Sequence, residues 1–156
     1  MEEKKPRELK GKAVVPYEVA MGKTWNDFYT FLKENKIMGK KCSVCDRVYV
    51  PPRSFCPNCF EEMEKWVEVG PYGRIDAWAL INFPFYGQIL KIPYISAQIR
   101  LDGAGTAFTH QIGGIDMSDY NEVRKKVKLG DRVRAVWSEE KKGSILDLSH
   151  FEIVEE

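Results

Sequence analysis

Four cysteines set the tightest limit on what this chain can fold into. Cys42, Cys45, Cys56 and Cys59 follow the pattern C-x2-C-x10-C-x2-C, and the 156 residues contain no other cysteine. Two residues between paired cysteines make a turn that aims both sulfurs at one point. Two such knuckles in succession supply the four thiolates of a tetrahedral zinc site, with Zn–S bonds of about 2.3 Å. Pro57 stiffens the second knuckle, and Pro51 and Pro52 lie between the knuckles, where the edge of a short ribbon hairpin tolerates them. The competing readings are disulfides, four unrelated thiols, or iron in place of zinc. A cytosolic chain does not hold structural disulfides, and the spacing favours zinc. Four thiolates close the coordination shell and leave no position for water, so such a metal builds structure and does not catalyse.

Charge narrows the partners. Twenty-four Lys and Arg face 23 Asp and Glu, a net +1 spread along the chain without blocks. Four thiolates remove four charges and Zn²⁺ returns two, which brings the total to −1. A strong binder of nucleic acid shows the opposite, a basic excess or stripe. A hydrophobic fraction of 44% with 12% aromatics excludes a disordered chain. No apolar run approaches the roughly 18 residues that span a bilayer. Met1 to Pro6 is polar and lacks the apolar stretch of a signal peptide. The expectation is a cytoplasmic protein without a membrane partner.

Along the chain, residues 1–22 read as an extended arm. Thr24 with Asp27 resembles a capping box that starts a helix running to about Lys36, with Trp25, Phe28, Tyr29, Phe31 and Leu32 as its large residues. That aromatic face either packs on the chain's own body or docks on another protein, since aromatic residues anchor interfaces. Residues 39–60 form the ribbon, Glu61 to Glu68 a charged connector containing Trp66, and Gly70-Pro71-Tyr72-Gly73 a loop. From residue 74 the pattern turns to alternation. The expected strands are Arg74–Asn82, Ile95–Leu101, Thr106–Ile112, Arg132–Trp137 and Ile145–Val154. Asp102-Gly103 makes a hairpin turn, and a short helix to Lys128 is capped by Asp116 or Ser118, with Tyr120, Val123 and Val127 inward. Five strands with a helix between the third and fourth match an OB-fold barrel. The predicted architecture is mainly β with short helices. It comprises an arm and docking helix at 1–38, a rubredoxin-like zinc ribbon and connector at 39–70, and a five-stranded OB-fold domain at 71–156.

Catalytic machinery is sparse. The thiols are committed to metal, and His110 and His150 sit on expected strands away from any triad motif. Neither G-x-S-x-G nor a Walker loop occurs. Gly103-Ala104-Gly105 lies in a hairpin and opens no helix for a phosphate. Arg53, Arg74 and Lys91 are candidate contacts for a phosphorylated ligand or an acidic surface. An independent enzyme would have to use His110 or His150. A binder of single-stranded nucleic acid would stack bases on Trp78, Phe83, Phe85 and Tyr86.

Several motifs together resemble a known family. They are Gly39, Lys41-Cys42-Ser43-Val44-Cys45, Val50-Pro51-Pro52-Arg53, Cys56-Pro57-Asn58-Cys59, Trp66, Gly73, Leu129-Gly130-Asp131-Arg132-Val133 and Phe151. The pattern, from about Thr24 to the C-terminus, is similar to domain-of-unknown-function family 35, zinc-ribbon plus OB-fold proteins that accompany acyl-CoA enzymes. The resemblance implies a non-catalytic accessory or scaffold subunit in a hetero-oligomer with a thiolase-fold protein. In some arrangements that protein is an acetoacetyl-CoA thiolase, with 3-hydroxy-3-methylglutaryl-CoA synthase as a second partner. It further implies that the ribbon and the N-terminal helix dock, and that the barrel walls the path of CoA or acyl-CoA. Asp46 stands where many ribbons carry glycine, and residues 1–23 match no family motif.

Overall fold

The structure, a computed structural model, describes residue 11 and residues 15–155. Much of the expected arm at 1–22 lies outside the described residues. Helix α1 (Lys23–Lys33) is followed by β1 (Ile37–Lys41), β2 (Val48–Tyr49) and β3 (Lys65–Val69), which form an antiparallel sheet in the order β2-β1-β3. β3 takes the place of the expected charged connector. Trp66 brings that stretch into the sheet, opposite Lys40 and against the ring of Phe31 at 5.2 Å. Gly39 sits at the centre of β1 because the sheet folds tightly there: a Cβ would lie 2.7 Å from Val48 Cγ1 and 2.9 Å from Val50 Cγ2.

The second half is a closed barrel in the order β4-β5-β6-β8-β7, built from β4 (Tyr72–Ile81), β5 (Tyr94–Leu101), β6 (Ala107–Ile112), β7 (Arg132–Trp137) and β8 (Leu148–Ile153). β6 and β8 run parallel, the other neighbours run antiparallel, and β7 returns to β4 to close the wall. α2 (Tyr120–Lys126) lies between β6 and β7. This is the predicted OB-fold. Its local differences have physical causes. A bulge between Ile75 and Ala77 shifts the phase of β4, so Trp78 and Leu80 turn toward the core while Ala77 and Ala79 face outward. Without the bulge, strict alternation puts Ile75, Ala77, Ala79 and Ile81 on one face. α2 is capped by Asp119, whose side chain accepts from Asn121 N–H, while Asp116 accepts from Ser118 N–H outside the helix. Tyr120 is exposed, and only Val123 and Val127 face inward. Residues Ile145–Asp147 form a 3-10 turn ahead of β8.

α1 also departs from expectation. Gly22 is its N-cap, without a side-chain cap bond, and the helix ends at Lys33. Thr24 is not a cap: its hydroxyl contacts Ser54 Oγ at 3.0 Å and accepts from Lys40 Nζ, tying the helix to the ribbon. Phe28 and Leu32 are fully buried in a core that also contains Ile37, Val48, Val50 and Val69 of the ribbon half and Ile75, Ile99, Leu101, Phe108 and Phe151 of the barrel. The docking role expected of Phe28 and Leu32 is therefore corrected: both hold α1 against its own chain. Phe31 is half-buried on Trp66, Tyr29 is half-buried against the core, and Trp25 is the exposed member of the face.

Hydrogen bonds join the halves. Thr106, after the β5–β6 turn, donates its hydroxyl to Val50 C=O and accepts from Val50 N–H, both at 2.9 Å. Gly105 N–H donates to Val48 C=O at 2.8 Å, and a Cβ at Gly105 would sit 2.6 Å from Arg47 Cγ. No helix among the described residues is long and apolar enough to cross a membrane. Removing a buried aromatic at such a junction leaves a cavity that neighbours fill only partly. Phe28→Ala is expected to lower the unfolding free energy by about 3–5 kcal/mol, read from the urea midpoint. An unchanged midpoint would place α1 on the surface instead.

Candidate functional site

The two cysteine knuckles are built alike. In the first, Cys42 N–H donates to Arg47 C=O and Asp46 N–H to Cys42 C=O; in the second, Cys56 N–H donates to Glu61 C=O and Phe60 N–H to Cys56 C=O. Each turn closes through a left-handed residue, Asp46 at φ 58° and Phe60 at φ 57°. Asp46 tolerates this conformation, and its carboxylate pairs with Lys41 Nζ at 2.7 Å. That side-chain bond holds its pKa below the usual carboxylate range.

The turns bring all four sulfurs within 4.8 Å of one another. Cys45 and Cys56 Sγ are 3.7 Å apart, which matches the edge of about 3.8 Å that a tetrahedron with 2.3 Å Zn–S bonds requires. The donor set therefore fits zinc in size, number and chemistry. Cys42 and Cys56 are buried, Cys59 is half-buried and Cys45 is exposed. The sulfurs do not share protons evenly. The Tyr49 hydroxyl lies 3.4 Å from Cys56 Sγ and donates to its thiolate, and with the N–H groups of Cys59 and Asn58 it pulls the Cys56 thiol down to about 6. Burial pushes the Cys59 thiol up to about 12, reinforced by the neighbouring sulfurs. A bound dication reverses that penalty by holding every ligand as thiolate. Tyr49 is itself buried in the small cluster with Cys42, Cys56 and Met63. The cysteine spacing does not mark it, because a tyrosine four residues beyond Cys45 looks like ordinary strand.

The three candidate cations lie in different places. Arg53 is exposed between the knuckles, and Lys91 is exposed on loop 82–93 beside Phe85 and Leu90. Arg74 donates to Gly130 C=O at 3.0 Å and lines a surface recess of about 320 Å³ in which Lys125, Lys126, Lys128 and Arg132 outnumber Asp131 and Glu155. Those lysines lie some fifty residues from Arg74 in sequence, and the fold alone brings the end of α2 beside the start of β4.

Loop 82–93 carries exposed Phe83, Phe85, Tyr86 and Ile89. With β5, β6 and the 145–147 turn it borders a second cavity of about 320 Å³ whose lining contains no Asp, Glu, Lys or Arg. Both walls are fixed. Gln88 accepts from Phe85 N–H and donates to Leu90 C=O. The buried Asp147 carboxylate accepts from Lys142 and Gly143 N–H at 2.8 Å each. Burial works against ionisation of Asp147, but these N–H groups and the charge of Lys141 outweigh it and hold its pKa low. His110 stacks on Phe108 at 5.7 Å and meets Phe151 edge-on at 5.8 Å. Burial lowers its pKa to about 4 from 6.5. His150 contacts Ser149 and Glu152.

A four-cysteine ribbon packed onto an OB barrel defines the class, a small metal-stapled module. A family model described as "ChsH2, rubredoxin-like zinc ribbon domain" matches residues 30–64, and one described as "ChsH2, C-terminal OB-fold domain" matches residues 66–138. Together they cover more than half of the chain, which belongs to this ChsH2-type DUF35 family. Among solved structures, an Ltp2-ChsH2(DUF35) aldolase is similar with TM-score 0.63 and 18% identity, over 87% of this chain and 98% of that one. A DUF35-family protein of unknown function from Sulfolobus solfataricus is similar with TM-score 0.59 and 26% identity, over 85% and 84%.

Three outcomes test the site. Cys42→Ser is expected to lose bound zinc and loosen the ribbon, because binding and folding are coupled in small sites; metal analysis still giving one zinc per chain would break the ligand assignment. Tyr49→Phe is expected to weaken zinc retention about tenfold in chelator competition, the usual scale for an outer partner of a ligand. His110 gives a pH dependence. Its folded pKa lies below its unfolded value, so the unfolded chain takes up the proton first. Its contribution is complete above pH 6.5 and is lost as pH falls from about 6.5 to 4. Urea midpoints at pH 7 and pH 5 should therefore converge in His110→Phe relative to the native chain.

Proposed function

We propose that this chain is a non-catalytic, zinc-binding accessory subunit of a thiolase-fold acyl-CoA enzyme complex in the cytoplasm, supporting assembly and the path of CoA or acyl-CoA. The observation that carries the reading is membership, across residues 30–138, in the family whose ChsH2 domain occurs with Ltp2 in an aldolase. The surface supports it. Exposed Phe83, Phe85, Tyr86 and Ile89 on loop 82–93, with Trp25 on α1, offer anchors for a partner. The recess around Arg74, Lys125, Lys126 and Lys128 suits the phosphates of CoA; Arg53 and Lys91 serve as further contacts to ligand or partner. A partner of the acetoacetyl-CoA thiolase type, with 3-hydroxy-3-methylglutaryl-CoA synthase as a second enzyme, is the finer form of this proposal. The net charge of only +1, spread along the chain, disfavours the alternative of a single-strand binder, which needs a cationic excess to track phosphates.

The purified chain is expected to show no thiolysis of acetoacetyl-CoA in the presence of CoA, followed by loss of the enolate absorbance. Robust turnover by the chain alone would overturn the accessory role.

A further inference from the structure

The two knuckles act as an internal control for each other. They share the same hydrogen bonds and the same left-handed closing position, yet the first closes with Asp46 and the second with Phe60. An aspartate suits that backbone, whereas a bulky aromatic is strained by it. Asp46 is held by Lys41, while the Phe60 side chain is 84% exposed. Folding of the ribbon therefore does not call for phenylalanine at this position. Phe55 and Val44 are also exposed, at 59% and 66%. Phe55 pairs with Glu62 across the second knuckle, and Val44 caps the first, whose sulfurs meet those of the second. Three exposed apolar side chains thus lie on the two knuckles at the cysteine end of the ribbon. Beside it, a recess of about 630 Å³ is lined by Asp46, Glu61, Glu62 and Glu64 against two lysines, Lys41 and Lys65, the first already paired with Asp46.

We infer that this tip is a protein-docking surface: Phe60, flanked by Phe55 and Val44, inserts into an apolar recess of a partner protein, and Lys or Arg on the rim of that recess faces Glu61, Glu62 and Glu64. An aromatic kept at a strained, exposed position marks a contact made outside the chain, and the acidic flank sets the sign of the opposing surface. The inference rests on the accessory reading for the presence of a partner, and it adds which face is used and what chemistry meets it.

The test uses the full chain expressed in its own cells with Phe60→p-benzoylphenylalanine, and separately Phe85→p-benzoylphenylalanine, followed by irradiation and mass spectrometry of the cross-linked peptides. A cross-link from position 60 to an apolar segment bordered by Lys or Arg is expected. Phe60→Gly is expected to keep zinc and an equal or higher urea midpoint, since glycine relieves the backbone, while affinity for the cross-linked partner falls at least tenfold; Phe60→Trp should restore most of it. If the partner cross-links from position 85 and Phe60→Gly binds it unchanged, the tip assignment fails and the accessory reading stands. If position 60 cross-links as expected to a protein that is not an acyl-CoA enzyme, the docking surface stands and the accessory reading fails. Absence of any cross-link from position 60 overturns the docking surface.

Discussion

The convergence of four sulfurs is the constraint on which the rest of the ribbon depends. β2 has only two residues and β1 and β3 five each, too little sheet to hold itself together in water. A tetrathiolate centre supplies what this short sheet lacks, because binding free energy at such a site is also folding free energy. The turns that deliver the sulfurs place a residue in the left-handed region in each knuckle, and Tyr49 completes the arrangement by donating to the buried Cys56. The metal end therefore has one exposed ligand, Cys45, and a protected interior.

The ribbon is not a separate bead on a string. Its apolar face is continuous with the barrel core through Val48, Val50 and Val69, and α1 seals that junction with Phe28 and Leu32. The β5–β6 turn reaches over to bond the backbone at Val48 and Val50. Ribbon and barrel therefore share one core, with the cysteine centre, the basic recess at α2 and the aromatic loop 82–93 on its surface. A core shared in this way leaves little ordering of the two halves against each other to be done at association.

Much of this was legible in the residues. The cysteine spacing located the centre, and the five alternating segments with their turn signals located the barrel strands, because a half-buried strand writes its two faces into the sequence. Other features were not written locally. The bulge at Ile75–Ala77 changes which face of β4 is buried without any glycine or proline to announce it. The aromatic run on α1 does not reveal whether its cover is its own chain or another, since both demand the same residues; Phe28 and Leu32 proved internal. Trp66 looked like a lone aromatic among charges because Lys65 and Glu68 interrupt both faces of its edge strand, leaving Trp66 and Val67 half-buried on opposite sides. Tyr49, Phe60 and the lysines beside Arg74 acquire meaning only when the fold brings distant positions together.

The accessory role is the central claim, and purification of the tagged chain from its own cells at native expression, with identification of every stoichiometric companion, tests it most directly. The account predicts a thiolase-fold acyl-CoA enzyme in constant ratio to the chain through successive columns, with zinc retained. Recovery of the chain alone, or bound to nucleic acid, from cells that contain such an enzyme would contradict it.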